Sequence, residues 1–152
     1  MKKYILQSLI GVFVLVVCGA CDEKEVAIQV ENELIRPYFQ LVIQEKYKEA
    51  YTTFTSDFYK KHSSFEVYLD SYKKNKTKRG ELTKYSVNAI RLYSNLFGKD
   101  EVRGEIAFHF QNEKYTKPIL FIIKQDEKGK YLIDAAWHHN KFSVPDGLDG
   151  PF

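Results

Sequence analysis

An uninterrupted apolar segment near the amino terminus places the strongest constraint on this chain. Residues 9–17 are all apolar, they follow the basic pair Lys2 and Lys3, and small residues come soon after them. A basic start, an apolar run and small residues are typical of a secretory signal peptide. Because a membrane-spanning helix needs about 20 apolar residues, this run predicts a removable signal rather than a permanent transmembrane helix.

Both cysteines of the chain lie directly after this run. Cys21 follows Gly19 and Ala20, whereas Cys18 follows two valines. The segment before Cys21 resembles the lipobox of bacterial lipoproteins, although Cys18 stands where leucine is usual. The resemblance implies cleavage before Cys21 and attachment of lipid, palmitate included, to that cysteine. There are two alternatives. One is an ordinary secretory signal with a soluble product, and the other is an uncleaved anchor.

Lipid attached to Cys21 makes a bilayer the expected partner of the chain. Each buried methylene contributes about 0.8 kcal/mol, so two or three acyl chains hold a protein on a membrane. We therefore expect the protein in the bacterial cell envelope. Asp22 resembles the inner-membrane retention signal of enteric bacteria, whereas the acidic residues up to Glu25 resemble the surface-export signal of Bacteroidetes lipoproteins. The inner membrane, the outer membrane and the cell surface all stay open.

The remaining chain has the size and composition of one folded domain. Removing residues 1–20 from 152 leaves 132, and without Lys2 and Lys3 the 23 basic side chains fall to 21 against 20 acidic ones. This near-neutral balance argues against a nucleic-acid partner. A disulfide framework is excluded, since only Cys21 remains. We predict a signal peptide at 1–20, a lipidated lead-in at 21–35, a domain at 36–142 and a tail at 143–152.

Helical spacing dominates the first half of the domain. One stripe is interrupted by Pro37, which predicts a kink or a main helix that begins near Arg36. A second helical face carries Tyr47, Tyr51, Phe54 and Phe58 at steps of four, three and four, and we expect this face to be covered. Ser63 with Glu66 predicts a capping box for a third helix. We expect the basic residues 73–80 to form a polar stretch that ends the helical half.

Alternating residues predict four strands in the second half. The first starts at Leu82 with a bulge near Ala89, the second has apolar residues from Val102 to Phe110 on one face, and the third covers residues 115–124. The fourth covers residues 130–138, with Tyr131, Ile133, Ala135 and Trp137 on one face. Helices followed by an antiparallel meander predict an α+β fold, with the N-terminal helices packed on a curved four-stranded sheet.

The order of elements and two short segments resemble a known fold family. Residues 47–51 read Tyr-Lys-Glu-Ala-Tyr, and residues 129–137 read Gly-Lys-Tyr-Leu-Ile-Asp-Ala-Ala-Trp. They are similar to nuclear-transport-factor-two-like domains, which are cone-shaped relatives of the cystatin-like fold. The resemblance spans roughly residues 36–140 and implies a pocket inside the cone. The candidate lining residues are Tyr47, Tyr51, Phe108, Phe110 and Trp137, unless these rings simply fill the core.

Enzymes of that superfamily move protons with a carboxylate or a histidine inside the cone. Asp134 and His138 share a strand face in this sequence, and His109 lies on a neighbouring strand. We expect that face to be exposed to water, and we predict no catalytic residues. The histidine spacing gives no metal site, and no glycine-rich phosphate loop is present, so no cofactor is expected.

Three functions follow for the chain. The first is a non-catalytic binding or accessory domain in the envelope, with a hydrophobic ligand or an envelope protein as partner. The second is a cone-fold enzyme that uses Asp134 or His109 as general acid or base. The third is an inhibitor or immunity-type lipoprotein that acts through the open sheet face or the tail.

Overall fold

The computed structural model describes residues 23–94, 100–113 and 118–138, with residues 94, 100, 137 and 138 described by their backbone alone. Cys21, the predicted cleavage site and the predicted tail lie outside these ranges. Helix α1 covers residues 23–43 and is followed by α2 (Tyr47–Phe54), α3 (Asp57–His62) and α4 (Phe65–Arg79). The strands are β1 (Leu82–Ser94), β2 (Asp100–Phe110), β3 (Ile119–Gln125) and β4 (Tyr131–His138).

Helix α1 passes Pro37 without a break, in contrast to the predicted restart near Arg36. The five residues Glu31–Ile35 form a π-helical turn, and Arg36–Ile43 continue as α-helix. The amide of Arg36 donates to the carbonyl of Glu31, five residues back. Proline removes a donor and its ring clashes with the carbonyl four residues earlier. The wider π-helical turn just before Pro37 gives the proline ring room and so relieves this clash.

The predicted helical face from Tyr47 to Phe58 is divided between two helices. Helix α2 ends at Phe54, and Ser56 begins α3 as its N-cap, with its side-chain oxygen accepting from the amide of Tyr59 at 3.0 Å. Serine at this position satisfies an amide that has no partner within the helix. Tyr51 and Phe54 are buried, whereas half of the surface of Phe58 is exposed. The prediction that Phe58 shares the buried face is therefore wrong.

Helix α4 differs from its predicted bounds at both ends. Its N-cap is Ser64, whose side chain accepts from the amide of Val67, so the predicted cap at Ser63 is displaced by one residue. At the other end the helix continues through the basic stretch to Arg79 and stops at Gly80, which has a φ of +82°. Basic side chains stabilise the negative end of a helix, which explains why this polar stretch remains helical.

The four strands form one open antiparallel sheet in the order β1-β2-β3-β4. The helices pack on one face of this sheet, so the α+β prediction is confirmed, and the open edges fit a curved sheet. A register shift between Val87 and Ala89 confirms the predicted bulge in β1. Strand β3 begins at Ile119, directly after Pro118, which cannot donate a backbone hydrogen bond to the sheet.

Strand β4 does not keep the simple alternation that its sequence predicts. Ile122 pairs with Ala135 and Ile123 pairs with Ile133, so Asp134 is an extra residue between the two pairs. A bulge of this kind reverses the faces on either side of it. Tyr131 and Ile133 therefore reach the core before the bulge, and Ala136 rather than Ala135 reaches it afterwards. The predicted common face of Ile133 and Ala135 is wrong for this reason.

Aromatic rings fill the space between the helices and the sheet. Phe39 of α1 stacks on Tyr85 of β1 at a centroid distance of 4.5 Å and meets Phe108 of β2 edge-on at 5.0 Å. Val30 and Leu34, which lie before residue 36, are fully buried in the same core. Burial of large aromatic surfaces is a main source of stability in a domain without a disulfide.

Three tyrosine hydroxyl groups meet inside this core. The hydroxyl oxygen of Tyr38 lies 3.1 Å from that of Tyr68 and 2.9 Å from that of Tyr72. Burial is the main cause that raises the pKa of all three hydroxyls above the ordinary value for tyrosine. The folded protein therefore favours their neutral form.

These tyrosines predict how stability depends on alkaline pH. Because the pKa values of these tyrosines are raised in the folded state, the stability that they contribute is fully present below the unfolded pKa of about 10. It is lost as the pH rises further. We expect Tyr38, Tyr68 and Tyr72 to ionise only together with unfolding in an absorbance titration of tyrosinate. Ionisation of every tyrosine near pH 10 with an unchanged circular dichroism spectrum would contradict this expectation.

Candidate functional site

A polar cleft lies where the loop between α2 and α3 meets the hairpin of β3 and β4. Its volume is about 390 Å³, which falls in the range of clefts that bind small ligands. Its lining comes from α2, the α2–α3 loop, α3 and the hairpin: Thr52, Thr53, Thr55, Ser56, Asp57, Lys60, Lys124, Gln125, Asp126, Lys130, Leu132 and Asp134.

Asp134 in the wall of this cleft is buried, although its strand face was predicted to be exposed. Only 6% of its surface is accessible, and no other carboxylate in the described part of the chain is buried to this degree. Ser56 donates its hydroxyl to Oδ1 at 2.7 Å, and Lys124 donates its ammonium to Oδ2 at 2.6 Å. A buried carboxylate requires such partners, because an unpaired charge away from water is very costly.

The bulge in β4 explains how Asp134 reaches this position. Thr55 pairs with Ile133 in a parallel bridge, and the amide of Ser56 donates to the carbonyl of Ile133 at 2.9 Å. The loop between α2 and α3 therefore lies against the edge strand β4. It covers backbone groups that an unprotected edge would offer to other chains, and it brings Ser56 to the carboxylate of Asp134.

Two further lysines in the cleft have different partners from Lys124. Lys60 donates to the carbonyl of Thr52 at 3.1 Å, and Lys130 donates to the carbonyl of Thr53 at 2.8 Å. Both carbonyls belong to the last turn of α2, the negative end of that helix. Across residues 23–94, 100–113 and 118–138, neither ammonium has a carboxylate within ion-pair distance.

Two acidic residues also line the cleft. Asp126 holds the turn between β3 and β4, since its Oδ1 accepts from the amides of Lys128 and Lys130, both at 2.9 Å. These hydrogen bonds, the one from Lys130 first, lower the pKa of Asp126. Asp57 is the first residue of α3. The lining therefore carries three lysines and three aspartates, and its formal charges balance.

No protein-family model, curated protein or solved structure matches this chain.

The predicted pocket residues lie in and around the aromatic core. Phe108 packs against Phe39 and Phe121, and Tyr51 donates its hydroxyl to the carbonyl of Ser63 at 2.7 Å. Phe110 lies under the guanidinium of Arg79, which is 4.3 Å from the ring centroid. Trp137 is described by its backbone alone, which pairs with Leu120. The predicted pocket lining therefore stays a prediction.

Tyr47 and Phe110 do line one small cavity together. Its volume is about 30 Å³, which is enough for one or two water molecules. The ring of Tyr47 stacks on Tyr72 at 5.1 Å beside it. The remaining lining residues are Val42, Ile43, Glu45, Tyr72, Lys76, Glu81 and Leu82. A cavity of this size is far smaller than a ligand-binding pocket.

The structure places Asp134 and His109, the two alternative acid–base residues of the enzyme hypothesis, far apart. His109 pairs with Lys84 near one end of β2, and its Nε2 lies 2.9 Å from the hydroxyl of Ser86. Asp134 lies opposite Ile123, which pairs with Val102 near the other end of β2. His109 lies seven residues after Val102 along β2, a separation of roughly 23 Å. Asp134 and His109 therefore do not act on one substrate atom together.

The basic residues of α4 are largely paired with acidic side chains. Lys74 pairs with Asp70, and Lys76 pairs with Glu45 and Glu81. In a separate pair, Arg79 binds Glu113, and this guanidinium is the main cause that lowers the pKa of Glu113. These pairs reduce the positive charge that the last two turns of α4 offer to a membrane surface.

Within residues 23–94, 100–113 and 118–138, every helix is too short or too polar to span a bilayer. The same residues contain no group of three or more histidine, cysteine, aspartate or glutamate side chains that is placed to hold a metal ion.

Sequence patterns did not predict several residues of the cleft, namely Ser56, Lys60, Lys124 and Lys130. The available signal was Ser56 itself, because a serine followed by an aspartate is a common helix start. A helix start at Asp57 places a loop before it and frees Ser56 for a partner in the sheet. Nothing comparable in the sequence shows that Lys60 and Lys130 meet at the end of α2.

Proposed function

We propose that this protein is a bacterial envelope lipoprotein, anchored through acylated Cys21, whose α+β domain binds a polar ligand without catalysing a reaction. The observation that carries the binding role is the polar cleft around Asp134. The lipobox resemblance supports the anchor. The nuclear-transport-factor-two-like resemblance belongs to the same proposal, supported by helices that precede and cover a four-stranded meander.

The arrangement of Asp134 favours binding over catalysis. Both of its carboxylate oxygens already have donors, Ser56 and Lys124. A general base must lie within hydrogen-bond reach of the proton that it takes from the substrate, and only 6% of the surface of Asp134 is accessible. Asp134 instead fixes the position of the α2–α3 loop, and so it shapes the wall of the cleft.

A protein partner is the second candidate. Phe58 and Val67 are apolar side chains with about half of their surfaces exposed, and they lie on α3 and α4. Exposed aromatic side chains are enriched where proteins contact one another. The inhibitor or immunity-type role belongs to this candidate.

The anchor is tested by replacing Cys21. In cells fed a fatty-acid analogue, we expect label on the wild-type protein and complete loss of label in Cys21→Ser, because the serine hydroxyl cannot form the thioether to diacylglycerol. Cys18→Ser is the matched control and keeps the label, since Cys18 belongs to the removed segment. Label that persists in Cys21→Ser, or that disappears in Cys18→Ser alone, contradicts the proposed attachment site.

A further inference from the structure

Three side chains in the lining of the polar cleft have spare hydrogen-bonding capacity: Lys60, Lys130 and Asp57. An ammonium has three protons, and Lys60 and Lys130 each use one of them on a backbone carbonyl of α2. Both therefore have protons left for an anionic group. Asp57 lines the same cleft and forms no ion pair with any described lysine, arginine or histidine.

The balance of charge indicates what kind of ligand fits. Lys124 and Asp134 neutralise each other at 2.6 Å. A simple anion bound by Lys60 and Lys130 meets repulsion from Asp57 and Asp126, which line the same cleft, and a simple cation meets repulsion from the lysines. A ligand that carries both charges avoids either cost. Phosphate suits two lysines better than a carboxylate does, because it offers more acceptor oxygens and more negative charge.

We propose that the cleft binds a small zwitterionic phosphate. The ammonium groups of Lys60 and Lys130 donate to the phosphate oxygens, and the carboxylate of Asp57 accepts from the ligand's primary ammonium group. Thr52 and Thr53 line the same space. A volume of about 390 Å³ accommodates a ligand of this size.

Phosphoethanolamine is the simplest ligand with this chemistry, and it has two sources. One is the headgroup of a membrane phospholipid, and the other is a free phosphate monoester. The headgroup source rests on the proposed function, because the lipid anchor keeps the domain beside a bilayer. The exposed ring of Phe58 lies 5.8 Å from the ammonium of Lys124, which lines the cleft. This exposed apolar ring beside the cleft offers a contact for the acyl chains of a lipid.

Calorimetry on the full chain tests this inference. Purified protein in dodecyl maltoside micelles is titrated with O-phosphoethanolamine, inorganic phosphate and ethanolamine. We expect O-phosphoethanolamine to bind roughly tenfold or more tightly than either of the other two. Equal affinity for inorganic phosphate, or no binding of O-phosphoethanolamine, overturns the proposal.

Three variants assign the charges within the cleft. The double variant Lys60→Gln, Lys130→Gln lowers the affinity for O-phosphoethanolamine about tenfold or more. Asp57→Asn weakens the binding of O-phosphoethanolamine and strengthens that of inorganic phosphate, because it removes the negative charge that attracts the ammonium and repels a simple anion. Lys48→Gln, an exposed lysine of α2 outside the cleft, is the control and leaves both affinities unchanged. Equal weakening by Lys48→Gln contradicts the assigned site. Thermal melts of each variant confirm that it is folded.

Glycerophosphoethanolamine distinguishes the two sources, because it is a soluble phosphodiester like a phospholipid headgroup. Binding as tight as that of O-phosphoethanolamine supports the headgroup, and binding about tenfold weaker supports a free monoester. These titrations do not depend on the lipid on Cys21. If O-phosphoethanolamine does not bind but Cys21 carries the fatty-acid label, only this inference is contradicted. If Cys21 carries no label, the affinities measured by calorimetry are unaffected.

Discussion

Replacing Phe39 with alanine is expected to lower the free energy of unfolding by about 4 kcal/mol. Phe39 is fully buried, and its ring contacts Tyr85, Phe108 and Phe121, so it joins α1 to three strands of the sheet. The alanine variant loses this burial and leaves a cavity that the surrounding rings do not fill. Since domains of this size are stable by about 5–15 kcal/mol, the loss is a large fraction of the total.

Phe58→Ala is the matched control for Phe39→Ala. It removes the same side chain from another helix, at a position where half of the ring surface is already in solvent. We expect its free energy of unfolding to change by about 0.5 kcal/mol or less. Urea denaturation of both variants measures the difference. Similar losses for the two variants would mean that Phe39 does not occupy the centre of the core.

Removal of the Asp134 side chain is expected to cost about 2 kcal/mol of folding free energy. Asp134→Ala leaves the hydroxyl of Ser56 and the ammonium of Lys124 without their shared acceptor. The cost stays moderate because about half of the Lys124 side chain is exposed and water can solvate its ammonium. The α2–α3 loop then keeps only the backbone contacts of Thr55 and Ser56 with Ile133, so the wall of the cleft is held less firmly.

Asp70→Ala is the control for this carboxylate. Asp70 also pairs with a lysine, Lys74, but both side chains are largely exposed, and exposed pairs contribute about 0–1 kcal/mol. A double-mutant cycle of Asp134→Ala with Ser56→Ala isolates their hydrogen bond, and we expect a coupling energy of about 1–2 kcal/mol. Additive effects of the two substitutions would show that this hydrogen bond does not hold the loop.

Much of the fold follows from patterns that span only a few residues. Alternation along β2 predicted its buried face because every second residue of a regular strand points to the same side. The α+β class followed in the same way from the change of period after Gly80. The residues beyond such local patterns were harder to place. Ser56 and Ser64 each begin a helix, but serine alone does not show which of two neighbouring residues is the N-cap.

The candidate site was less predictable than the fold. The face of Asp134 depends on the bulge in β4, and this bulge arises from pairing with Ile122 and Ile123 on the neighbouring strand. Contacts between distant parts of the chain leave no periodic signal in either segment. Lys60 and Lys130 meet at the end of α2 for the same kind of reason. The cleft is therefore a product of tertiary packing that the sequence pattern does not contain.

Mapping of ligand contacts by backbone amide chemical shifts tests most directly whether the domain binds at the polar cleft rather than in its aromatic core. The full chain is titrated with O-phosphoethanolamine and, separately, exposed to xenon, which enters dry apolar cavities. We predict that O-phosphoethanolamine shifts the amides of Thr53, Ser56 and Lys130, and that xenon leaves those of Phe108 and Phe110 unchanged. Xenon shifts at Phe108 and Phe110, with an unperturbed cleft, would contradict the proposed site.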